Sequence, residues 1–167
     1  MKKILLLVLI LGFVPLSVFA ELGVGGSAFL NSPVLIFQPL PKDGVTLDDF
    51  TFGGDVRFKL SLLQIDALAL VTMGENTIFD IYADAGIALD LLLFRLSAGV
   101  GPTMRYVIGG GTNDLLGGFN VKANADVKLG RLSVGLSYIM NLIIQEGFKL
   151  DLNWSTGLLG ATVMFWL

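Results

Sequence analysis

Apolar and polar residues alternate along this chain with a period of two, and this alternation limits the possible folds more than any other feature. Successive side chains of a β-strand point to opposite faces, so such a period is typical of strands with one apolar face. Three similar stretches each contain two alternating runs joined by a tight connection, at residues 52–71, 82–101 and 121–138. A repeat of hairpin length predicts an antiparallel meander and does not fit helical or leucine-rich repeats.

One further strand before the repeats and one after them bring the predicted number to eight. The predicted strands lie near residues 22–30, 49–60, 65–73, 79–90, 95–106, 118–129, 131–141 and 156–167. The connections near 61–64, 91–94 and 130 are short, those at 31–48, 107–117 and 142–155 are long, and the one at 74–78 is a short exception. Short turns that alternate with long loops are typical of barrels that cross an outer membrane.

The two faces of the predicted strands differ completely in charge. One face carries none, as in the fourth strand with Phe79, Ile81, Ala83, Ala85, Ile87 and Leu89. The other face carries Asp49, Asp80 and ten residues that we predict to form a charge network in the lumen: Asp55, Arg57, Lys59, Asp66, Asp84, Asp90, Arg105, Lys122, Asp126 and Lys128. A Lys or Arg facing lipid at mid-depth costs about 2–4 kcal/mol. The sorting therefore predicts an all-β, eight-stranded antiparallel up-and-down transmembrane β-barrel, which pairs every backbone polar group.

Alternation alone also fits a soluble barrel, in which the apolar face would point inward. Three features favour the membrane: the polar face combines small residues with charges of both signs, the apolar face is large and continuous, and aromatic residues cluster at two rims. We place these aromatic residues at an outer rim (Phe50, Phe52, Phe79, Tyr106, Phe119, Tyr138) and an inner rim (Phe58, Phe94, Phe165, Trp166). Such girdles mark the two interfaces of a membrane.

The strand pattern from residue 21 to the last strand resembles the small eight-stranded outer-membrane barrels of the OmpA, OmpX and OmpW type. In that group the last strand alternates apolar residues and ends in an aromatic residue that the barrel-assembly machinery reads. Leu159, Ala161, Val163 and Phe165 match the alternation, but Leu167 stands in the terminal position. Pro102 cannot donate to a strand ladder and predicts a bulge. Residues 148–154 alternate in the opposite phase, so an earlier start of the last strand would require a bulge near residue 157.

The first twenty residues resemble a secretory signal. Lys2 and Lys3 precede an apolar run at 4–14, and Val18-Phe19-Ala20 offers small residues for cleavage. We predict a signal peptide at residues 1–20 and an outer-membrane barrel at 21–167; an uncleaved anchor is the alternative, although the run is shorter than the roughly 20 apolar residues of a spanning helix. Without Lys2 and Lys3 the chain keeps nine basic against fourteen acidic residues, which argues against a nucleic-acid partner.

The chain contains neither Cys nor His. It therefore lacks disulfides, the commonest metal ligand and the usual general base, and we predict no enzyme, no cofactor and no metal site. Carboxylate pairs such as Asp84 and Asp126 could support acid–base chemistry, but a structural role in the lumen is favoured. The glycine run at 109–111 lacks the residues that complete a phosphate-binding loop and predicts a loop tip.

The interior of an eight-stranded barrel is just wide enough for side chains, so the lumen charges favour a salt-bridged plug over an ion-selective pore. We predict a structural or surface-interaction protein of the bacterial outer membrane. A narrow channel or lateral conduit for small or hydrophobic molecules is one alternative, and a soluble exported lipocalin-like carrier is another. The expected partners are outer-membrane and lipopolysaccharide-like lipids, the barrel-assembly machinery during insertion, and an extracellular partner at the loops, where residues 32–47 are strongly apolar.

Overall fold

The computed structural model describes residues 20–30, 49–74, 76–109, 112–142, 144–145, 149–150 and 157–167. These residues form ten strands: β1 (Ala20–Leu30), β2 (Phe50–Leu60), β3 (Leu63–Thr72), β4 (Thr77–Leu91), β5 (Phe94–Gly109), β6 (Thr112–Leu129), β7 (Leu132–Leu142), β8 (Ile144–Gln145), β9 (Lys149–Leu150) and β10 (Leu158–Trp166). Within these ranges, no helix is long and apolar enough to span a membrane. The predicted signal peptide falls outside the described residues and stays a prediction.

Eight of the strands close into one antiparallel barrel in the order β1-β10-β7-β6-β5-β4-β3-β2. The remaining two, β8 and β9, pair with each other as a small separate hairpin. At one end of the barrel, two-residue turns at 61–62, 92–93 and 130–131 join neighbouring strands; we call this the inner end and the opposite one the outer end. Gly130 has a φ of 69°, a left-handed conformation that suits glycine in so tight a turn. The predicted fold class is confirmed.

The strands are staggered around the barrel. A path along paired residues runs from Ala20 in β1 through Leu60, Leu63, Ile87, Ala98, Ala123, Tyr138 and Leu159 and returns to β1 at Leu30, ten residues further along. Such a stagger tilts the strands against the barrel axis, and eight tilted strands enclose a space that side chains can fill.

The uncharged face of the strands points outward. In β4, for example, Phe79, Ile81 and Ile87 are all exposed, whereas Asp80, Tyr82 and Asp84 between them are buried. This confirms the orientation that the alternation predicts and is the reverse of a soluble carrier barrel. Two residues depart from the prediction: Met140 is buried, and Trp166 points into the barrel and does not belong to an aromatic rim.

Two details of the predicted strands are wrong. The long connection expected at 107–117 is mostly strand, because β5 continues to Gly109 and β6 begins at Thr112. At Pro102, pairing with β4 lapses between Tyr82–Thr103 and Ala85–Val100, but the register is the same on both sides, so there is no bulge. An interruption suffices here because proline lacks the N–H donor.

The alternative of an earlier start of the last strand, over residues 148–154, stays untested over most of its length. Lys149 and Leu150 pair with β8 and not with the barrel. The rest of the proposed extension, at residues 151–156, lies outside the described part of the chain, as do residues 31–48 with their apolar stretch and Gly110–Gly111 of the glycine run.

Candidate functional site

The candidate site is the lumen, whose side chains come from the inward face of every barrel strand. All ten predicted site residues occupy inward positions, but they form three separate groups along the axis. Six of them lie together at mid-height and make up the central network: Asp55, Arg57, Asp66, Asp84, Lys122 and Asp126. Lys59, Asp90 and Lys128 lie near the inner end, and Arg105 lies near the outer end.

Arg57 is the hub of the central network and is fully buried. Its Nε and Nη2 donate to Oδ2 of Asp55 at 3.0 and 2.7 Å, and its Nη1 donates to Oδ2 of Asp126 at 2.9 Å. Lys122 places Nζ 3.3 Å from Oδ2 of Asp55 and 3.4 Å from Oδ2 of Asp66. Strands from opposite sides of the barrel are thus joined through charge-assisted hydrogen bonds, the strong class of such bonds.

Neutral side chains surround these ion pairs. Nδ2 of Asn124 donates to Oγ of Ser97 at 2.9 Å, and Oγ of Ser137 donates to Oδ1 of Asn124 at 2.5 Å. Nε2 of Gln64 donates to Oδ1 of Asp66 at 2.9 Å. The small residues that the sequence places on the polar face therefore act as hydrogen-bond partners in a narrow interior.

The central network has more carboxylates than cations. It contains two cations, Arg57 and Lys122, against four carboxylates, so two negative charges lack a cation within it. Asp84 is only 3% exposed, and neither of its carboxylate oxygens has a hydrogen-bond partner among the described residues. It also stands directly opposite Asp66 in the pairing of β3 with β4. An unpaired buried carboxylate of this kind costs free energy.

Near the inner end, Arg95 organises a second group, the inner cluster, with Glu21, Lys59, Asp90, Lys128 and Trp166. Arg95 donates from Nε to Oδ1 of Asp90 at 2.7 Å and from Nη2 to Oε2 of Glu21 at 2.5 Å. Its Cζ lies 3.9 Å from the ring centroid of Trp166, a cation–π contact. Asp90 also pairs with Lys59 and Lys128, so one carboxylate contacts three cations.

The sequence reasoning missed Arg95 and Glu21, although a signal for Arg95 was present. Arg95 lies two residues before Ser97 and four before Gly99 in β5, so it belongs to the same face as these two residues, which are predicted to point inward.

Above the central network, toward the outer end, the lumen is filled by an apolar layer that the sequence reasoning also missed. All of its members are 7% exposed or less: Phe29, Leu68, Leu70, Tyr82, Ile139 and Leu158. Leu68 and Leu70 follow Asp66 along β3 toward the outer end, and Tyr82 precedes Asp84 along β4, so this layer lies on the outer side of the charges. Beyond it, Arg105 binds Asp80 through Nε and Nη2 at 2.7 and 3.0 Å.

The geometry leaves little room for chemistry or passage in the middle of the barrel. The space enclosed by Gln64, Asp66, Asp84 and Ser97 cannot hold a water molecule. Asp84 and Asp126, the pair considered for acid–base work, are both buried. Among the described residues, no group of three or more Asp or Glu is placed to hold a metal ion.

The fold and the lumen together define a closed eight-stranded antiparallel barrel with a polar interior and an apolar exterior. No protein-family model and no curated protein matches the sequence. The N-terminal β-barrel domain of Pseudomonas aeruginosa OprF has a similar structure, with a TM-score of 0.55 and 11% identity over 89% of this chain and 96% of that one. The chain therefore has the fold of the small eight-stranded outer-membrane barrels.

Two further solved structures are similar at lower scores. Neisserial surface protein A has a TM-score of 0.49 and 14% identity over 87% of this chain and 95% of that one. Ail, the attachment invasion locus protein of Yersinia pestis, has a TM-score of 0.47 and 12% identity over 88% of this chain and 95% of that one.

Proposed function

We propose that this chain spans the bacterial outer membrane as a closed, non-conducting barrel, and that it acts as a scaffold whose long connections contact the cell exterior. The observation that carries the proposal is the filling of the lumen at three successive heights by the inner cluster, the central network and the apolar layer. An ion would have to displace paired charges and then cross buried aliphatic side chains. Both steps are unfavourable in so narrow an interior.

The membrane location is supported by the outer surface of the barrel. Its outward positions at mid-height, such as Ile81, Ala98 and Val163, are exposed and apolar, and those of the described strands carry no charge. A monomeric soluble protein rarely exposes more than a few hundred Å² of contiguous apolar surface. Outer-membrane and lipopolysaccharide-like lipids are thus the proposed neighbours of this belt, with the barrel-assembly machinery as the partner during insertion.

The surface role rests on the connections at the outer end, among which those at 31–48 and 143–156 are the longest. Residues 33–37 and 39–41 give the first of them an apolar character suited to a partner outside the cell. The proposal includes no catalysis, because the buried carboxylates of Asp84 and Asp126 are out of reach of a substrate.

Single-channel recording tests the closed lumen. Refolded protein would be added to planar bilayers after its folding has been checked by the change in gel mobility on boiling. We expect no reproducible openings from the wild-type protein. Openings from folded barrels would support the narrow-channel alternative and overturn the scaffold proposal.

A variant with one side chain shortened in each layer tells whether these layers form the barrier. In Leu70→Ala/Arg57→Ala/Arg95→Ala, each layer loses a large buried side chain, and we expect discrete openings from protein that still shows the folded mobility. A folded but silent triple variant would show that the barrier lies elsewhere. Cell fractionation and the behaviour of the purified protein without detergent complete the test. A protein that stays monomeric in plain buffer would favour the soluble carrier.

A further inference from the structure

A cavity of about 210 Å³ opens near the outer end of the barrel, on the far side of the apolar layer from the central network. Its lining is amphipathic: Asp80, Tyr82 and Arg105 form the polar part, and Leu116, Phe119 and Leu142 form the apolar part. The function proposed above makes no use of this cavity.

The cavity lies where β6 continues past the end of its neighbour. Pairing between β6 and β7 ends at Phe119–Leu142, whereas β6 stays paired with β5 up to Thr112. Arg105 has an inward position on β5, and Phe119 is exposed on the outward face. The cavity therefore connects the mouth of the lumen with the surface that meets the outer leaflet.

The polar part of the cavity offers a cation whose donors are only partly used by Asp80. Arg105 holds Asp80 with Nε and Nη2, neither of these bonds uses Nη1, and the side chain is still 40% exposed. Tyr82, which is 1% exposed, and Asn141 line the same part of the cavity. The exposed part of the guanidinium is therefore the group available to an anionic head.

The cavity stays open because Gly118, on the same inward side of β6 as Leu116, carries no side chain. A Cβ atom added at Gly118 would make only ordinary contacts, the nearest at 3.4 Å with Cγ2 of Thr103. Gly117 lies on the outward side with Phe119, and a Cβ atom added there would meet nothing within 4 Å. The volume is below the roughly 300–1,000 Å³ of sites for drug-sized ligands, so a ligand here is smaller.

We propose that this cavity binds a small amphiphile, a medium-chain monocarboxylate, with its carboxylate on Arg105 and its chain along Leu116, Phe119 and Leu142. Arginine matches a carboxylate with paired N–H donors, and the apolar residues on the membrane side suit the alkyl part. The proposal is independent of the closed lumen, because the cavity lies outside the apolar layer.

Calorimetric titration of the barrel in lipid nanodiscs tests the proposal without competing detergent. The probes are octanoate, octanol and octylammonium, which share a chain and differ in the head group, and empty nanodiscs correct for partition into lipid. We expect one saturable site for octanoate, at least tenfold weaker binding of octanol, and no saturable binding of octylammonium. Equal binding of octanoate and octanol, or uptake that matches empty nanodiscs, would overturn the proposal.

Two variants then locate the site. Gly118→Leu should fill the cavity and abolish octanoate binding, at little cost to folding because a Cβ atom there makes only ordinary contacts. Arg105→Gln/Asp80→Asn removes the charge without leaving a buried carboxylate alone, and should weaken octanoate at least tenfold. Arg131→Gln, at an exposed turn of the inner end, is the matched control and should bind as the wild type does. Unchanged octanoate binding in folded Gly118→Leu would place the ligand elsewhere.

Discussion

Replacing Arg57 by methionine would leave two buried carboxylates without the cation that both of them contact. The guanidinium lies 2.7 Å from Asp55 and 2.9 Å from Asp126, and all three side chains are fully buried. Methionine has an unbranched apolar side chain like the aliphatic part of arginine, but it has no hydrogen-bond donor. Among the described residues, Asp55 would keep an ion pair with Lys122 at 3.3 Å, and Asp126 would keep a long hydrogen bond of 3.5 Å from Thr162.

The expected cost follows from the number of partners. Removing one member of a buried ion pair destabilises a protein by about 3–5 kcal/mol, because the surviving charge stays buried and unpaired. Here a single cation serves two carboxylates in a network that already has two uncompensated negative charges. We therefore expect a loss near the upper limit, about 5 kcal/mol, which is a few thousand-fold in the folding equilibrium at about 1.4 kcal/mol per factor of ten.

Urea unfolding in lipid vesicles, followed by tryptophan fluorescence and by gel mobility, measures this loss. The companion variant Arg57→Met/Asp55→Asn/Asp126→Asn removes the three charges together and should recover most of the lost stability, since neutral groups avoid the unpaired-charge penalty. Arg131→Met, at the exposed turn, should change stability by no more than about 0.5 kcal/mol. The reasoning fails if Arg57→Met costs less than about 1 kcal/mol, or if the triple variant is less stable than the single one.

Three further predictions concern the same barrel and the same unfolding assay. Asp84→Asn should raise the unfolding free energy by about 1–3 kcal/mol, because it removes a buried negative charge that stands opposite Asp66 and lacks a close hydrogen bond from the described residues. Gly53→Ala should cost about 3 kcal/mol or more, since its Cβ would lie 1.9 Å from a backbone oxygen of β3, whereas Gly117→Ala enters open space and should be nearly neutral. Ala98→Lys, at mid-height on the outward face, should cost about 2–4 kcal/mol in a bilayer, and Tyr106→Lys near the rim about 0–1 kcal/mol.

Each of these predictions has an outcome that contradicts it. A less stable Asp84→Asn would mean that the carboxylate is paired after all. Equal effects of alanine at Gly53 and Gly117 would show that the strands are not as closely spaced as described. Equal effects of lysine at Ala98 and Tyr106 would argue against a hydrocarbon environment around the barrel.

The orientation of the strand faces could be predicted from the sequence because alternate residues of a strand point to opposite faces. A slip of one residue would turn every charge of a strand toward lipid, so the alternation fixes which side points inward. The composition of the interior was harder to predict. Residues 67–71 are apolar on both faces, so parity does not distinguish Leu68 and Leu70 from the outward residues beside them. The apolar layer was missed for this reason.

The pairing of charges could not be predicted either, for a geometrical reason. Arg57 and Asp126 are 69 residues apart and lie on strands that do not touch, β2 and β6. Their meeting depends on the stagger of the whole barrel, which is a property of all eight pairings together. The sequence predicted which charges enter the lumen, but the stagger decides which of them lie at the same height.

The long separation between lumen partners has a consequence for how such a chain enters a bilayer. The hairpin formed by β6 and β7 points Lys122, Asp126 and Lys128 inward. Their partners, Asp55, Arg57, Asp66 and Asp90, all belong to other hairpins, so this hairpin cannot neutralise its own inward charges. A hairpin that inserted alone would expose each unpaired Lys or Arg to hydrocarbon at about 2–4 kcal/mol. Crossing the bilayer and closing the ring must therefore be one coupled event, in which β1 meets β10 while water still solvates the interior.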